Sequence, residues 1–306
     1  MPYVTFNHDE WAALAQATAL PLTDRDLARL SSLGDPISLE EADAIYRPLS
    51  AIIQMFAGAQ GALFARAKEF LGFSQPRTPF IVGIAGSVSV GKSTTARLLR
   101  ELLSRWPGTP NVALVPTDGF LMPNAELEAR GILGRKGFPE SYTPGALTKF
   151  LDDIKSGRDA EVPVYDHVSY DIVPGKSITV SSPDILIVEG LTLLQPAKLD
   201  ERGEYAGVYD YFDFTIYLDA PETSLEEWYV DRFLKLRTTA FSDPRSYFTN
   251  YAGLSDQQAA STARDIWRAI NLPNLRENIA PTRSRATVVL TKGADHRIEK
   301  IHLKRL

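Results

Sequence analysis

Residues 81–95 read Ile-Val-Gly-Ile-Ala-Gly-Ser-Val-Ser-Val-Gly-Lys-Ser-Thr-Thr. An apolar run breaks at Gly86, passes through Ser87, Val88, Ser89 and Val90, reaches Gly91-Lys92-Ser93-Thr94 and continues into a helix-like stretch from Ala96 to Leu103. Glycines at both ends of so short a loop let the backbone turn its N–H groups toward one centre, which suits phosphate oxygens. Lys92 adds a point charge at the β- and γ-phosphates, and Ser93 offers a hydroxyl to Mg²⁺. The helix that begins there directs its positive end at the same anion. The spacing predicts a P-loop holding a nucleoside triphosphate.

Two acids sit where such a ligand could use them. Asp118 follows the apolar run Val112 to Val115, and Glu189 follows Ile185 to Val188. Both are expected to face the P-loop, where a carboxylate either orders the Mg²⁺ shell or takes the proton from an attacking hydroxyl. Singly, acids at strand ends often only cap loops; two of them beside a complete P-loop favour chemistry. In the segment from Ser224, Leu225, Tyr229, Arg232 and Leu236 fall at i, i+4, i+7 and i+11, placing Arg232 within an apolar stripe. A guanidinium there needs an anion. A snorkelling stem or a neighbouring carboxylate would satisfy it structurally, and a clamp on the γ-phosphate would satisfy it functionally.

Three polar-aromatic clusters remain. Val164 to Asp171 alternates like an edge strand with Tyr165, His167 and Ser169 on one side and Tyr170 at its end. Tyr247, Phe248 and Tyr251 follow Ser246 in an irregular stretch, and Asn271 precedes Leu272-Pro273-Asn274 at an expected helix end. Each alone is ordinary core or cap material. Together they could wall a pocket of apolar faces and hydrogen-bonding tips, although the sequence leaves their convergence open.

The elements that must position these residues alternate. Short apolar runs at Phe80 to Ala85, Val112 to Val115, Ile185 to Val188, Phe214 to Leu218 and Thr287 to Leu290 suit strands buried on both faces. Helical segments are expected at Ser93 to Trp106, Ala146 to Ser156, Ser224 to Thr239 and Asp256 to Ile270. The pattern predicts an α/β fold, P-loop NTPase-like and doubly wound, with a mainly parallel sheet flanked by helices and ligands at the strands' C-terminal ends. Pro123 to Pro144 and Phe241 to Gly253 fit no regular element and suggest binding loops. Ser38-Leu39-Glu40-Glu41 reads as a helix cap, opening a helical stretch from Ala42 to Phe70 that contains Pro48. One domain over 1–306 is expected, with an N-terminal helical segment of about 1–75 packed on the α/β core.

The chain has 306 residues, 44% of them apolar, and a formal net charge of −5. That charge argues against a nucleic acid or an anionic membrane as partner and favours small molecules. The absence of cysteine excludes disulfides and thiolate chemistry. Met1 to Glu10 lacks the basic-then-apolar form of a secretory signal, and the apolar window Ala51 to Ala65 contains Gln54 and Gln60. A soluble, cytoplasmic protein is expected.

A resemblance adds to this reading. Gly86 to Arg97, Thr117-Asp118-Gly119-Phe120, Arg135-Lys136-Gly137-Phe138-Pro139-Glu140-Ser141-Tyr142, Pro163-Val164-Tyr165-Asp166-His167, Pro183 to Gly190 and Asp243-Pro244-Arg245-Ser246-Tyr247-Phe248 follow one another as in bacterial type I pantothenate kinases. The chain resembles that family from near Tyr3 to the C-terminus. The resemblance implies ATP- and Mg²⁺-dependent phosphorylation of the primary hydroxyl of pantothenate by a homodimer that coenzyme A inhibits at a site overlapping that of ATP. It implies Asp118 as general base, Lys92 and Arg232 at the transferring phosphoryl group, and Ser93 with Glu189 in the Mg²⁺ region. Tyr165, His167, Tyr170, Tyr229, Tyr247, Phe248, Tyr251 and Asn271 would line the pantothenate or coenzyme A pocket, with Arg97 and His167 in the feedback site. Thr192 and Leu236 depart from residues common in the family, which bears on inhibition more than on the reaction. A uridine- or phosphoribulose-type kinase on the same scaffold stays open as an alternative. A GTPase-like switch is disfavoured, because Thr291-Lys292-Gly293-Ala294-Asp295 sets its acid one residue too far for guanine selection.

Overall fold

The computed structural model describes residues 3–15, 22–72, 78–143, 145–199 and 205–305. Its strands, in chain order, are β1 (Tyr3–Asn7), β2 (Phe80–Gly86), β3 (Val112–Pro116), β4 (Ala160–Asp166), β5 (Asp171–Val180), β6 (Ile185–Gly190), β7 (Lys198–Leu199), β8 (Tyr205–Ala206), β9 (Phe214–Asp219), β10 (Val288–Lys292) and β11 (Ile298–Lys304). Seven of them form one sheet in the order β1-β11-β10-β9-β2-β6-β3. The run from β10 to β3 is parallel, and β11 and β1 add antiparallel strands at the far edge.

The five strands expected from apolar runs are the five parallel ones. β2 is buried at every position and β6 at all but Glu189, as strands covered on both faces must be. Pro116 ends β3, an edge strand, where its missing N–H breaks no ladder. β1 and β11 were not expected; β1 has no buried residue and β11 only Ile298 and Ile301, so neither presents an apolar run. The N-terminal segment is therefore not helical throughout, because β1 joins the main sheet through β11. Residues 16–21 and 73–75 of that segment lie outside the described residues.

Ser38 does cap a helix, its Oγ accepting from the Glu41 N–H at 3.1 Å. That helix runs over Leu39–Leu71. A wider π turn at Ala42–Tyr46 precedes Pro48 and absorbs the ring that an α turn would clash with. Ala42, Ile45, Leu49, Ile53 and Ala57 recur at helical spacing and are buried in the core, with Phe56 packed edge-on to Phe214 of β9 at 5.2 Å. By length and composition this helix is apolar enough to cross a membrane, which the reading of Ala51 to Ala65 did not anticipate. Here it lies on the sheet, and Gln54 and Gln60 bond to Thr109 and Asp213.

Both stretches expected to be irregular contain short elements. Pro123 to Thr143 contains a short helix at Asn124–Ala129 and 3₁₀ turns at Leu133–Arg135 and Pro139–Ser141, while Pro144 lies outside the described residues. Phe241 to Gly253 contains a turn of helix at Thr249–Ala252.

Candidate active site

β6 lies between β2 and β3, with Glu189 registered against Ile84 on one side and Pro116 on the other. The P-loop leaves the end of β2, and Asp118 leaves the end of β3 in a 3₁₀ turn over Thr117–Phe120. The topology therefore sets Glu189 between the phosphate loop and Asp118, all at the strands' C-terminal ends.

The helix after the loop spans Lys92–Ser104. Gly91 caps it at φ 98° and Gly86 opens the loop at φ 149°; a Cβ at Gly86 would stand 2.6 Å from the carbonyl oxygen of Leu218. Only glycine fits there. Inside the loop, Lys92 Nζ donates to the Ser87 carbonyl at 2.7 Å. Ser87 Oγ and Ser89 Oγ are buried without a hydrogen-bond partner among the described residues, a state that costs about 1–3 kcal/mol each and that phosphate oxygens would relieve. Val88 is half-buried and Val90 is core, anchoring the loop from beneath. Thr94 is buried, its hydroxyl accepting the Ser32 N–H at 3.1 Å.

Burial pulls the Lys92 ammonium down to about 8, with Glu189 and Asp118 opposing and Arg232 adding to the fall. Burial likewise raises the Glu189 carboxyl, against Lys92 and the Ser93 hydroxyl, which donates to Glu189 Oε1 at 2.6 Å. A hydroxyl and a carboxylate are the hard oxygen donors that Mg²⁺ takes alongside phosphates, so Ser93 and Glu189 fit that ion.

Arg232 is not in a buried stripe. In the helix Glu222–Arg237 the buried positions are Ser224, Leu225, Trp228, Val230 and Phe233, while Arg232 is exposed and Tyr229 and Leu236 are half-buried. The four positions do share one helix face, but at the level of Arg232 that face leaves the core. Arg232 instead lines a cleft with Trp228, Gly34, Asp35, Ser89, Lys92 and Ser93, and has no ion-pair partner among the described residues. Its charge remains available to an anion. Arg97 is committed elsewhere, donating to the Leu30 carbonyl at 2.7 Å and to Ser32 Oγ at 2.6 Å, which fastens the N-terminal loop beside the cleft.

The polar-aromatic clusters converge. Tyr165 is the last but one residue of β4, but His167 and Ser169 lie in the turn between β4 and β5 rather than in a strand, and His167 is exposed with its ring 5.1 Å from that of Tyr165. Tyr170, in that turn at φ 55°, contacts Tyr165 at 6.2 Å, Tyr247 at 5.5 Å and Phe248 at 4.8 Å. Phe248 stacks on Tyr251 at 6.0 Å. Asn271 does not end a helix: the helix from Asp256 continues through π turns at Trp267–Asn271 and Leu275–Ile279 around Pro273. Asn271 lies beside the Tyr229 hydroxyl, and the Tyr229 ring lies 5.7 Å from that of Trp267. Burial pushes the hydroxyls of Tyr165 and Tyr170 up, so both stay neutral donors. The field of Asp118 reaches Tyr165, Tyr170 and Lys92 alike, so this half-buried acid sits where the aromatic wall meets the phosphate loop.

Sequence reasoning gave no role to Lys136. It is 8% exposed, donates to Asn124 Oδ1 at 2.6 Å and the Tyr170 carbonyl at 2.5 Å, and stands 4.1 Å from the Tyr170 ring centre. Burial brings it down to about 8, with Asp171 and Asp118 opposing. A lysine in a glycine-rich loop carries no periodicity that marks it. Its presence in a motif shared with a family was the only available signal.

Residues 81–232 match the model of the phosphoribulokinase / uridine kinase family. The chain is 53% identical over 307 residues to a pantothenate kinase of Paenarthrobacter aurescens, spanning 100% of this chain and 95% of that protein. It is 53% identical over 309 residues to a pantothenate kinase of Streptomyces coelicolor, spanning 100% of this chain and 94% of the relative. Among solved structures, D-glycerate 3-kinase from Cryptococcus neoformans matches with a TM-score of 0.53 and 15% identity over 81% of this chain and 97% of that chain, a likeness of fold. With its P-loop, strand-end acids and full-length kinship, the chain belongs to the pantothenate kinase family.

Proposed function

We propose that the chain transfers the γ-phosphoryl group of ATP to the primary hydroxyl of pantothenate. The observation that carries the reading is the meeting of one carboxylate, Asp118, with both the P-loop lysine and the aromatic wall. An alcohol bound against Tyr165, Tyr170, Phe248 and the Tyr229–Asn271 pair would present its hydroxyl to Asp118. A primary alcohol is a very weak acid, so the base helps only as the transition state forms, and positioning with charge neutralisation does most of the work. Lys92 and Arg232 supply fixed positive charge for the equatorial oxygens of the phosphoryl group. Mg²⁺, held by Ser93 and Glu189, would neutralise phosphate charge.

The finer features follow the same reading. Coenzyme A carries a pantothenate-derived arm and would occupy the aromatic wall, with His167 at its exposed rim and Arg97 at the cleft's edge. A homodimer is supported by the outward face of the helix Leu39–Leu71, where Met55, Leu63 and Phe70 are 69%, 63% and 89% exposed; a second copy would cover it. The same reading takes the protein to act in the cytoplasm. The test is transfer of labelled phosphate from ATP to a panel of alcohols, with and without coenzyme A. Pantothenate is expected to be the preferred acceptor and coenzyme A to inhibit. Preference for a nucleoside or a sugar phosphate would overturn the reading in favour of the uridine- or phosphoribulose-type alternative.

A further inference from the structure

A buried ion pair lies directly against the turn that precedes the P-loop lysine. Asp35, in the loop between the helix Asp24–Leu30 and the long helix Leu39–Leu71, accepts from Lys292 Nζ at 2.9 Å, and both residues are buried at 6% and 4% exposure. A Cβ built on Gly91 would stand 2.6 Å from Asp35 Oδ2 and 2.7 Å from Lys292 Nζ. Both partners therefore press on the α-carbon of Gly91, whose φ of 98° sets the direction of the next N–H.

The pair joins segments far apart in the chain. Lys292 ends β10, where sequence reasoning had seen only a near miss of a guanine-selecting motif. Its ammonium lies 6.0 Å from the ring centre of Trp228, which stacks on His296 at 4.0 Å and donates to the Ala294 carbonyl at 3.2 Å. His296 Nδ1 lies 3.5 Å from the same Asp35 carboxylate. Trp228 is one helical turn before Arg232, so packing at Trp228 also fixes where Arg232 stands over the cleft. Breaking such a buried pair costs heavily, and as a pure stability device an apolar pair serves as well. Its placement against the phosphate turn suggests a different use.

We propose that Asp35 and Lys292 are positioning residues for the nucleotide: together they hold the Gly91 turn, and with it the phosphate-facing backbone of Lys92, in the conformation that receives the triphosphate. The loop at Asp35 and the end of β10 thereby become parts of the phosphate site without touching the acceptor pocket. This rests on the nucleotide reading of the P-loop.

The test compares the full-length wild type with Asp35→Asn/Lys292→Gln, which removes both charges but keeps a hydrogen-bonding pair and leaves no lone buried charge. Affinity for the non-hydrolysable analogue AMP-PNP with Mg²⁺ is measured by calorimetry, alongside KM for each substrate and the thermal midpoint. Nucleotide affinity and KM for ATP are expected to worsen by about tenfold or more, with KM for pantothenate and cooperative unfolding retained. A cooperatively folded variant with unchanged nucleotide affinity overturns the proposal and leaves the nucleotide reading intact. Failure of the wild type to bind the analogue sinks both. If the double variant does not fold, Asp35→Asn alone is measured by the same criteria. Failure of both to fold assigns the pair to general stability and likewise overturns the proposal.

Discussion

The Ser93 hydroxyl donates to the Glu189 carboxylate at 2.6 Å, joining the first turn of the P-loop helix to the end of β6. Ser93 and Glu189 come from elements 96 residues apart in the chain, and only the parallel pairing of β2 with β6 brings them together. Replacing Glu189 by Gln keeps the shape and removes the charge that a divalent cation needs. The Mg²⁺ concentration for half-maximal activity should rise by about 10–100-fold, while binding of metal-free ATP stays unchanged. Activity assays over a Mg²⁺ series, with calorimetry in chelator, check both halves.

Alkaline pH should separate binding from turnover. Lys92 works as an ammonium, and burial has brought it down to about 8 from 10.5. Its charge in the free enzyme is lost as pH rises through about 8, so kcat/KM for ATP should fall above that pH. With phosphates beside it the ammonium is stabilised, so kcat should hold to higher pH. The sign for stability is opposite: between the two values the unfolded chain keeps a proton that the folded chain has lost, so the cost of burying Lys92 fades as pH rises. Identical alkaline limbs for kcat and kcat/KM would contradict this.

Lys136 stitches the loop after Asn124 to the β4–β5 turn through the Tyr170 carbonyl. Lys136→Met keeps much of the bulk and removes the donors that hold Tyr170 at its left-handed φ. KM for pantothenate should rise by about tenfold with KM for ATP unchanged. Equal effects on both constants would place Lys136 outside the acceptor pocket.

Gly86→Ala places a methyl group 2.6 Å from the Leu218 carbonyl oxygen, which is main chain and has little room to move. The loop must shift off β9, and backbone strain of about 1–3 kcal/mol adds to the clash. Loss of detectable binding of the ATP analogue is expected, together with a lower thermal midpoint measured by calorimetric scanning.

The parallel half of the sheet was legible because strands buried on both faces must be apolar throughout, as β2 and β6 are. The P-loop was legible because glycine, lysine and serine at fixed offsets do work that no other spacing does. β1 and β11 escaped because edge strands with no buried residue, or only two set three apart, carry neither an apolar run nor a period of two. His167 was misplaced in a strand because turn and strand share the Tyr165 to Tyr170 pattern, and only the antiparallel register of β4 with β5 shows the reversal. Arg232 was expected inside an apolar stripe because periodicity gives the face and not where that face leaves the core; beside buried Leu225 and Trp228 it opens on a cleft. Asp35 with Lys292, 257 residues apart, had no local signal at all.

The central claim is that Asp118 takes the proton of the acceptor hydroxyl. Asp118→Asn, assayed for phosphoryl transfer to pantothenate beside calorimetric ATP binding, tests it most directly. The account predicts that kcat falls by about 10²–10⁴-fold while ATP affinity is retained. Near-normal turnover in that variant would contradict it.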